Sequence, residues 1–204
     1  MKPSELSKLR KEISKVQDSK RFEHTLSVAY TAANLAACYG ESIDHAVVAG
    51  MLHDCAKCLP EEKLLSICET QHMEISQEEY MKPSLLHAKA GCYLAEKKYH
   101  IVNRNILNAI HNHTTGRPDM SLLEKIIFVA DYIEPGRRQA PRLEQVRRTA
   151  FADLDQAVLM ILEDTLKYLR DSGSVIEQTT QKTYQYYKDM QNSKQHFPGG
   201  HGET

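Results

Sequence analysis

Tryptophan is absent from the 204-residue sequence, and glycine (9) and proline (7) are scarce. With few chain breakers and abundant Ala and aliphatics, the composition favours helices. There is no strand alternation, no internal repeat and no Gly/Ser linker. No apolar run approaches the roughly 20 residues of a membrane span, and the charged first residues lack a signal-peptide core. A cytoplasmic protein without membrane contact is expected. Neither charge dominates: 26 Lys and Arg face 27 Asp and Glu, a formal net charge of -1. That argues against non-specific nucleic-acid binding and against a polybasic membrane patch. The five cysteines are odd in number and scattered at 38, 55, 58, 68 and 92. They form no disulfide framework and are expected as reduced thiols. Cys55-x-x-Cys58 has redox or zinc spacing, but no second pair follows.

The length suffices for one domain with a real core. Residues 4–17 predict a first helix with Leu6, Leu9, Ile13 and Val16 on one stripe, and 20–39 a second that Gly40 stops. Ser42 caps a third helix through an apolar run that ends in His53-Asp54. Further helices are expected at 61–72, from Pro83 through Leu94, at 103–113, from Ser121 to Ile133, and at 142–151, 153–171 and 178–192. Residues 73–83 read as irregular, and 193–204 as a disordered tail. The expectation is a single all-α domain over 1–192.

Polar residues recur where these patterns call for apolar ones. His24 shares a stripe with Val28, Thr31 and Leu35; His87 faces Ala90 and Gly91; Asp131 follows Leu123, Ile127 and Phe128. His113 ends the apolar stripe of Ile106, Ala109 and Ile110, whereas His111 falls on a more polar side, which favours His113 over His111 as the inward residue. Each inward histidine alone reads as a satisfied core residue. Together with His53 and Asp54 they describe a metal pocket between facing helices. Imidazole and carboxylate without thiolate suit iron, manganese, cobalt or zinc. His24, His53, Asp54 and Asp131 would fill one metal site. Asp54, His87 and His113 would complete a second, with Asp54 bridging, or else His87 and His113 would meet a phosphate of the substrate. Lys57, four residues beyond His53, and Arg137, beyond the Asp131 helix, are placed to meet phosphate charge. Arg138, Arg142, Arg147 and Arg148 form a basic cluster that reads as a helix face or a dimer rim.

The order His24, His53-Asp54, Asp131 resembles the H…HD…D signature of HD-domain phosphohydrolases. The runs Arg21–Leu26, Leu86–Ala88, His113-Thr114-Thr115-Gly116-Arg117 and Ala130-Asp131-Tyr132-Ile133-Glu134-Pro135 resemble the YqeK family of symmetrical diadenosine tetraphosphate hydrolases. That resemblance, over about residues 20–185, implies an all-α HD fold and an iron site of one or two ions. It implies a homodimer, and cleavage of diadenosine tetraphosphate by metal-activated water to two ADP, or to GDP from a guanosine counterpart. Catalytic roles are expected for Asp54, Lys57, His87 and His113. Substrate contacts would come from Lys57, His87, His113, Thr114, Arg137 and the loop Gly173-Ser174-Val175-Ile176-Glu177 with Thr180. Glu177-Gln178 stands where the family often carries His-Pro. Three other readings share this ligand set: another HD nucleotide phosphohydrolase (of a cyclic nucleotide, monophosphate or triphosphate), a nucleotide-sensing binding module, and a di-iron oxygenase.

Overall fold

The computed structural model describes residues 3–196. Among them the chain forms eleven α-helices and no strand. α1 (Pro3–Ile13) leads into the long α2 (Ser19–Tyr39), then α3 (Ile43–Leu52), α4 (Glu61–Thr70) and α5 (Gln77–Met81). A 3₁₀ turn, Pro83–Leu86, runs straight into α6 (His87–Lys97), followed by α7 (Arg104–His111) and α8 (Leu122–Ile133). α9 (Leu143–Ala150), α10 (Leu154–Asp171) and α11 (Gln178–His196) complete the chain.

The caps are those the sequence encodes. Asp18 accepts from Arg21 N at 2.9 Å at the start of α2, and Gly40, at φ 74°, closes it with its N–H on the Ala36 carbonyl. Ser42 caps α3, and Ser121 and Glu124 form the full capping box of α8.

α2, α3, α7 and α8 enclose the main core, with Val28, Ala32 and Leu35 meeting Ala46, Ala49, Ile110, Leu123, Ile126 and Ile127. Each fully buried Leu or Ile contributes about 1.5–3 kcal/mol by leaving water. α2 and α3 pack backbone to backbone at Gly50, where an added Cβ would lie 2.7 Å from the Ala29 Cα. A smaller cluster, Ala56, Leu64, Cys68, Leu86 and Ala90, seats α4 and the 3₁₀ turn. α10 packs on α8 and α11 packs on α10, and the buried Tyr187 hydroxyl accepts from Met120 N at 3.2 Å.

Four expectations need correction. α1 ends at Ile13, so Val16 leaves the stripe and is 38% exposed. Residues 73–83 are not wholly irregular: Ser76 and Glu79 make a second capping box that nucleates α5. Five residues without apolar periodicity carry no visible pattern, and the box alone marks the turn. α7 stops at His111, leaving His113 in the turn beyond. α11 reaches His196, four residues further than expected, and the rest of the expected tail lies outside the described residues.

Candidate metal centre

Four histidines and two aspartates converge where α2, α3, α6, α7 and α8 meet. His53 is the C-cap of α3, and Asp54 follows it in a tight turn; they are 0% and 6% exposed. His24 comes from the first half of α2, Asp131 from the last turn of α8, His87 from the first position of α6 and His113 from the turn after α7. His24 Nε2 lies 3.2 Å from Asp131 Oδ1. Asp54 Oδ1 lies 3.3 Å from His87 Nε2 and 3.4 Å from His113 Nε2, while Oδ2 faces His53 Nε2 at 3.8 Å.

Three imidazoles are oriented by one device. Nδ1 of His53, His87 and His113 each lies 2.7 Å from the carbonyl three residues earlier, that of Gly50, Ser84 and Ile110. A carbonyl only accepts, so Nδ1 carries the proton and Nε2 presents a lone pair. All three lone pairs point inward. His53 Nε2 is buried with no hydrogen-bond partner. His87 and His113 set their Nε2 atoms 3.3 Å apart, both beside the Asp54 carboxylate. Acceptor atoms facing one another at such distances need a positive species between them, and Lys57 Nζ, 3.1 Å from His87 Nε2, reaches only that one imidazole. His24 is held instead by a carboxylate, its Nδ1 3.3 Å from Glu134 Oε1. This backing of ligand imidazoles by carbonyls and a carboxylate is the usual support of a metal site.

The donor set therefore fits a metal. Ligand atoms of His24, His53 and Asp131 lie within 4.8 Å of one another, and so do those of His53, Asp54 and His113. A divalent cation prefers such N and O donors when they are buried and pre-oriented.

The local electrostatics agree. Burial pushes His53 and His87 below the ordinary imidazole value, so both favour the neutral, ligating form. Burial would also lower His24, but Asp131, Asp54 and Glu134 outweigh it and hold His24 above its ordinary value. Burial opposes ionisation of Asp54, yet His53, His113 and His87 keep its carboxyl well below the usual range. Asp131 is held low in the same way by His24 and His53.

All of the ligand residues but His53 line a cavity of about 640 Å³, which also takes in Lys20, Arg21, Lys57, Thr114 and Arg137 together with Asp18, Glu23 and Glu134. Arg137 is fixed by two bonds to the Asp131 carbonyl, at 2.9 and 3.2 Å, and lies over the Tyr132 ring. The Thr114 turn is tied down by Glu124, whose carboxylate accepts from Arg117 Nε and Nη2, each at 2.7 Å, and from Asn112 Nδ2 at 2.8 Å. Gly116 holds that turn at φ 61°, where a Cβ would strike Thr183.

The structure thus brings together His24, His53, Asp54, Lys57, His87, His113, Thr114, Asp131 and Arg137. Glu177 lies in a neighbouring cavity of about 180 Å³ with Glu79, Lys89, His111 and Thr115, and Thr114 lines both. Gly173, Ser174, Val175, Ile176 and Thr180 line neither. Sequence reasoning assigned no role to three supports. Arg21 donates to Asp54 Oδ2 at 2.9 Å, Gln17 holds the Asp54 carbonyl at 3.3 Å, and Glu134 orients His24. Arg21 stands three residues before His24, and Glu134 three after Asp131; that helical spacing was the available signal. Cys55 is no redox partner: its thiol is buried on the Gly91 carbonyl and pushed up to about 12, while Cys58 is exposed.

Residues 21–136 match the HD domain family. The symmetrical bis(5'-nucleosyl)-tetraphosphatase of Bacillus subtilis is 37% identical over 81% of this chain and 88% of its own length. The protein of that name from Halalkalibacterium halodurans is 40% identical over 80% of this chain and 87% of its own. A crystal structure of an HD-superfamily hydrolase from Clostridium acetobutylicum, described as involved in NAD metabolism, superposes with a TM-score of 0.87 at 41% identity, covering 90% of this chain and 97% of that one. The chain belongs to the HD-domain family, in the group that includes the symmetrical bis(5'-nucleosyl)-tetraphosphatases.

Proposed function

We propose that this protein hydrolyses diadenosine tetraphosphate, or a guanosine counterpart, at the central anhydride to give two nucleoside diphosphates. What supports the reading is the inward-aimed set of Nε2 lone pairs around Asp54, in a cavity where Lys57 and Arg137 can meet phosphate charge, in a chain whose relatives are named for that reaction. We assign His24, His53, Asp54 and Asp131 to one metal, with His87 and His113 joining Asp54 at a second. Iron is the expected ion, with manganese, cobalt or zinc as substitutes. When bound, such an ion supplies Lewis acidity that activates water and neutralises phosphoryl oxygens.

The chain's own groups position the substrate. A polyphosphate bridge carries several negative charges, and holding it in line is most of the catalytic task. Lys57 and Arg137 both line the cavity, Lys57 beside the His87 ring and Arg137 held on the Asp131 carbonyl. Their charges meet the phosphoryl oxygens flanking the scissile bond. Arg21 donates to Asp54 Oδ2, the oxygen that faces His53, and so holds the carboxylate in place. Thr114 offers a hydroxyl at the cavity wall. ADP leaves as a stable anion, so no strong general acid is demanded. The reading is that of a cytoplasmic homodimer acting on a dinucleotide, not on nucleic acid; among the described residues no helix is long and apolar enough to cross a membrane.

The test is product analysis. Manganese- or iron-loaded protein should convert diadenosine tetraphosphate to ADP alone, and ATP with AMP would refute symmetrical cleavage.

A further inference from the structure

Arg137 belongs to two openings. One is the metal cavity; the other is a surface groove of about 590 Å³ between the loop after α8 and helix α9. Five arginines line that groove, 137, 138, 142, 147 and 148, against a single acid, Glu144. Two of them are consumed by the fold. Arg142 binds Asp164 at 2.7 and 3.0 Å and Glu163 at 3.1 Å, which holds its own backbone at φ 49°. Arg147 caps the carbonyls of Ile133, Glu134 and Arg137 at 3.0–3.1 Å and neutralises Glu144 at 2.8 Å. These bonds fix the loop that presents the remaining arginines.

Arg138 is exposed and, among the described residues, makes no hydrogen bond or ion pair. Arg148 meets only the Glu144 carbonyl of its own helix, at 3.3 Å. The groove therefore offers two guanidinium charges without carboxylate partners, beside the mouth of the metal cavity. A guanidinium takes phosphate in a two-pronged fashion and stacks on purine faces.

We propose that this groove binds one nucleoside diphosphate half of the substrate, with Arg138 and Arg148 as its contacts. The proposal rests on the hydrolase reading above. A bridge cut at its centre has two equal halves, and they must leave the metal ligands in different directions. One path runs past Thr114 into the small cavity beside Glu177. The other runs past Arg137 into the arginine groove. The two halves are chemically identical, but the subsites are not: one is small and carries Glu74, Glu79 and Glu177 against Lys89, the other is open and cationic.

The test uses full-length, manganese-loaded protein and ADP as the probe. Calorimetry should show two ADP bound per protomer of the wild type and one for Arg138→Ala/Arg148→Ala. The same variant should raise KM for diadenosine tetraphosphate tenfold or more, with a weaker dependence on salt. Arg138→Lys/Arg148→Lys keeps the charge but loses the fork, and should fall between. One ADP per wild-type protomer would overturn the proposal. So would an Ala variant with unchanged stoichiometry and KM. A variant that changes oligomeric state while still binding two ADP would overturn it too, and would assign these arginines to an interface between copies. If the Ala variant does not fold, the wild-type stoichiometry and the Lys variant decide. Two ADP bound without any turnover of the dinucleotide would sink the hydrolase reading and leave the groove standing.

Discussion

Gly50→Ala tests the packing that carries the centre. Helix propensity favours the change by about 1 kcal/mol, because glycine inside a helix costs that much against alanine. The structure opposes it. The new Cβ would lie 2.7 Å from the Ala29 Cα, 3.1 Å from its nitrogen and 3.3 Å from its Cβ. Ordinary contact begins at 3.4 Å, so α2 and α3 must part by roughly 0.7 Å, and backbone cannot swing aside as a side chain can. Overpacking of this kind costs about 1–3 kcal/mol, and a contact with backbone belongs at the upper end. The net expectation is a loss of about 1–2 kcal/mol, or a Tm lower by about 2–8 °C for a domain of this size. His24 rides on α2 and His53 ends α3, so the same displacement should weaken metal affinity. Gly91→Ala is the control. It too lies inside a helix, but its Cβ would meet Cys55 Sγ and the His53 carbonyl at 3.6 Å, an ordinary contact, so propensity should win and Tm should rise. Thermal unfolding of both variants by circular dichroism decides the matter. If Gly50→Ala is as stable as the wild type, the close approach of α2 and α3 is not as described.

Glu124→Ala removes a capping carboxylate, strands Asn112 and frees Arg117, and should cost about 2–4 kcal/mol in chemical denaturation. Because burial of Glu124 is outweighed by Arg117 and Ser121 and its pKa lies below 4.5, that contribution is complete above pH 4.5 and fades on acidification below it; a variant equally destabilised at pH 3 and pH 7 would contradict this. Burial beside Glu79 pushes Glu177 up to about 7, so folding favours its protonated form and stability falls as pH rises through 7. Glu177→Gln should therefore stabilise the fold at pH 8 but not at pH 5, by about 1–2 kcal/mol once partial exposure is discounted; equal gains at both pH values would refute it. Metal at a hundredfold excess over its Kd should add about 2.7 kcal/mol, or about 5–10 °C, and His53→Ala should abolish that gain in differential scanning calorimetry.

Much of this was legible in the sequence because helices write inward positions at fixed spacing. His24, His87 and Asp131 betray themselves as polar residues on apolar stripes, and Ser42, Gly40 and Ser121 mark the ends that aim them. His113 was reached by the same reasoning, although it lies past the end of its helix. It works because the turn keeps its ring on the Ile110 carbonyl. What escaped were contacts between segments distant in sequence. Nothing in the stripe of α1 shows that the chain leaves it at Ile13 so that Gln17 can bond the Asp54 carbonyl. Arg21 and Glu134 sit one turn from ligands, but their partners come from other helices. The arginines after α8 read as a basic face; only the fold separates Arg142 and Arg147, which brace the loop, from Arg138 and Arg148, which do not.

The most direct measurement is of metal content and reaction products on one preparation. Purified protein with bound iron or manganese, given diadenosine tetraphosphate, should yield ADP as the sole nucleotide product. His53→Ala and Asp54→Ala should lose metal and turnover together. ATP plus AMP, or full activity in a variant stripped of metal, would contradict the account.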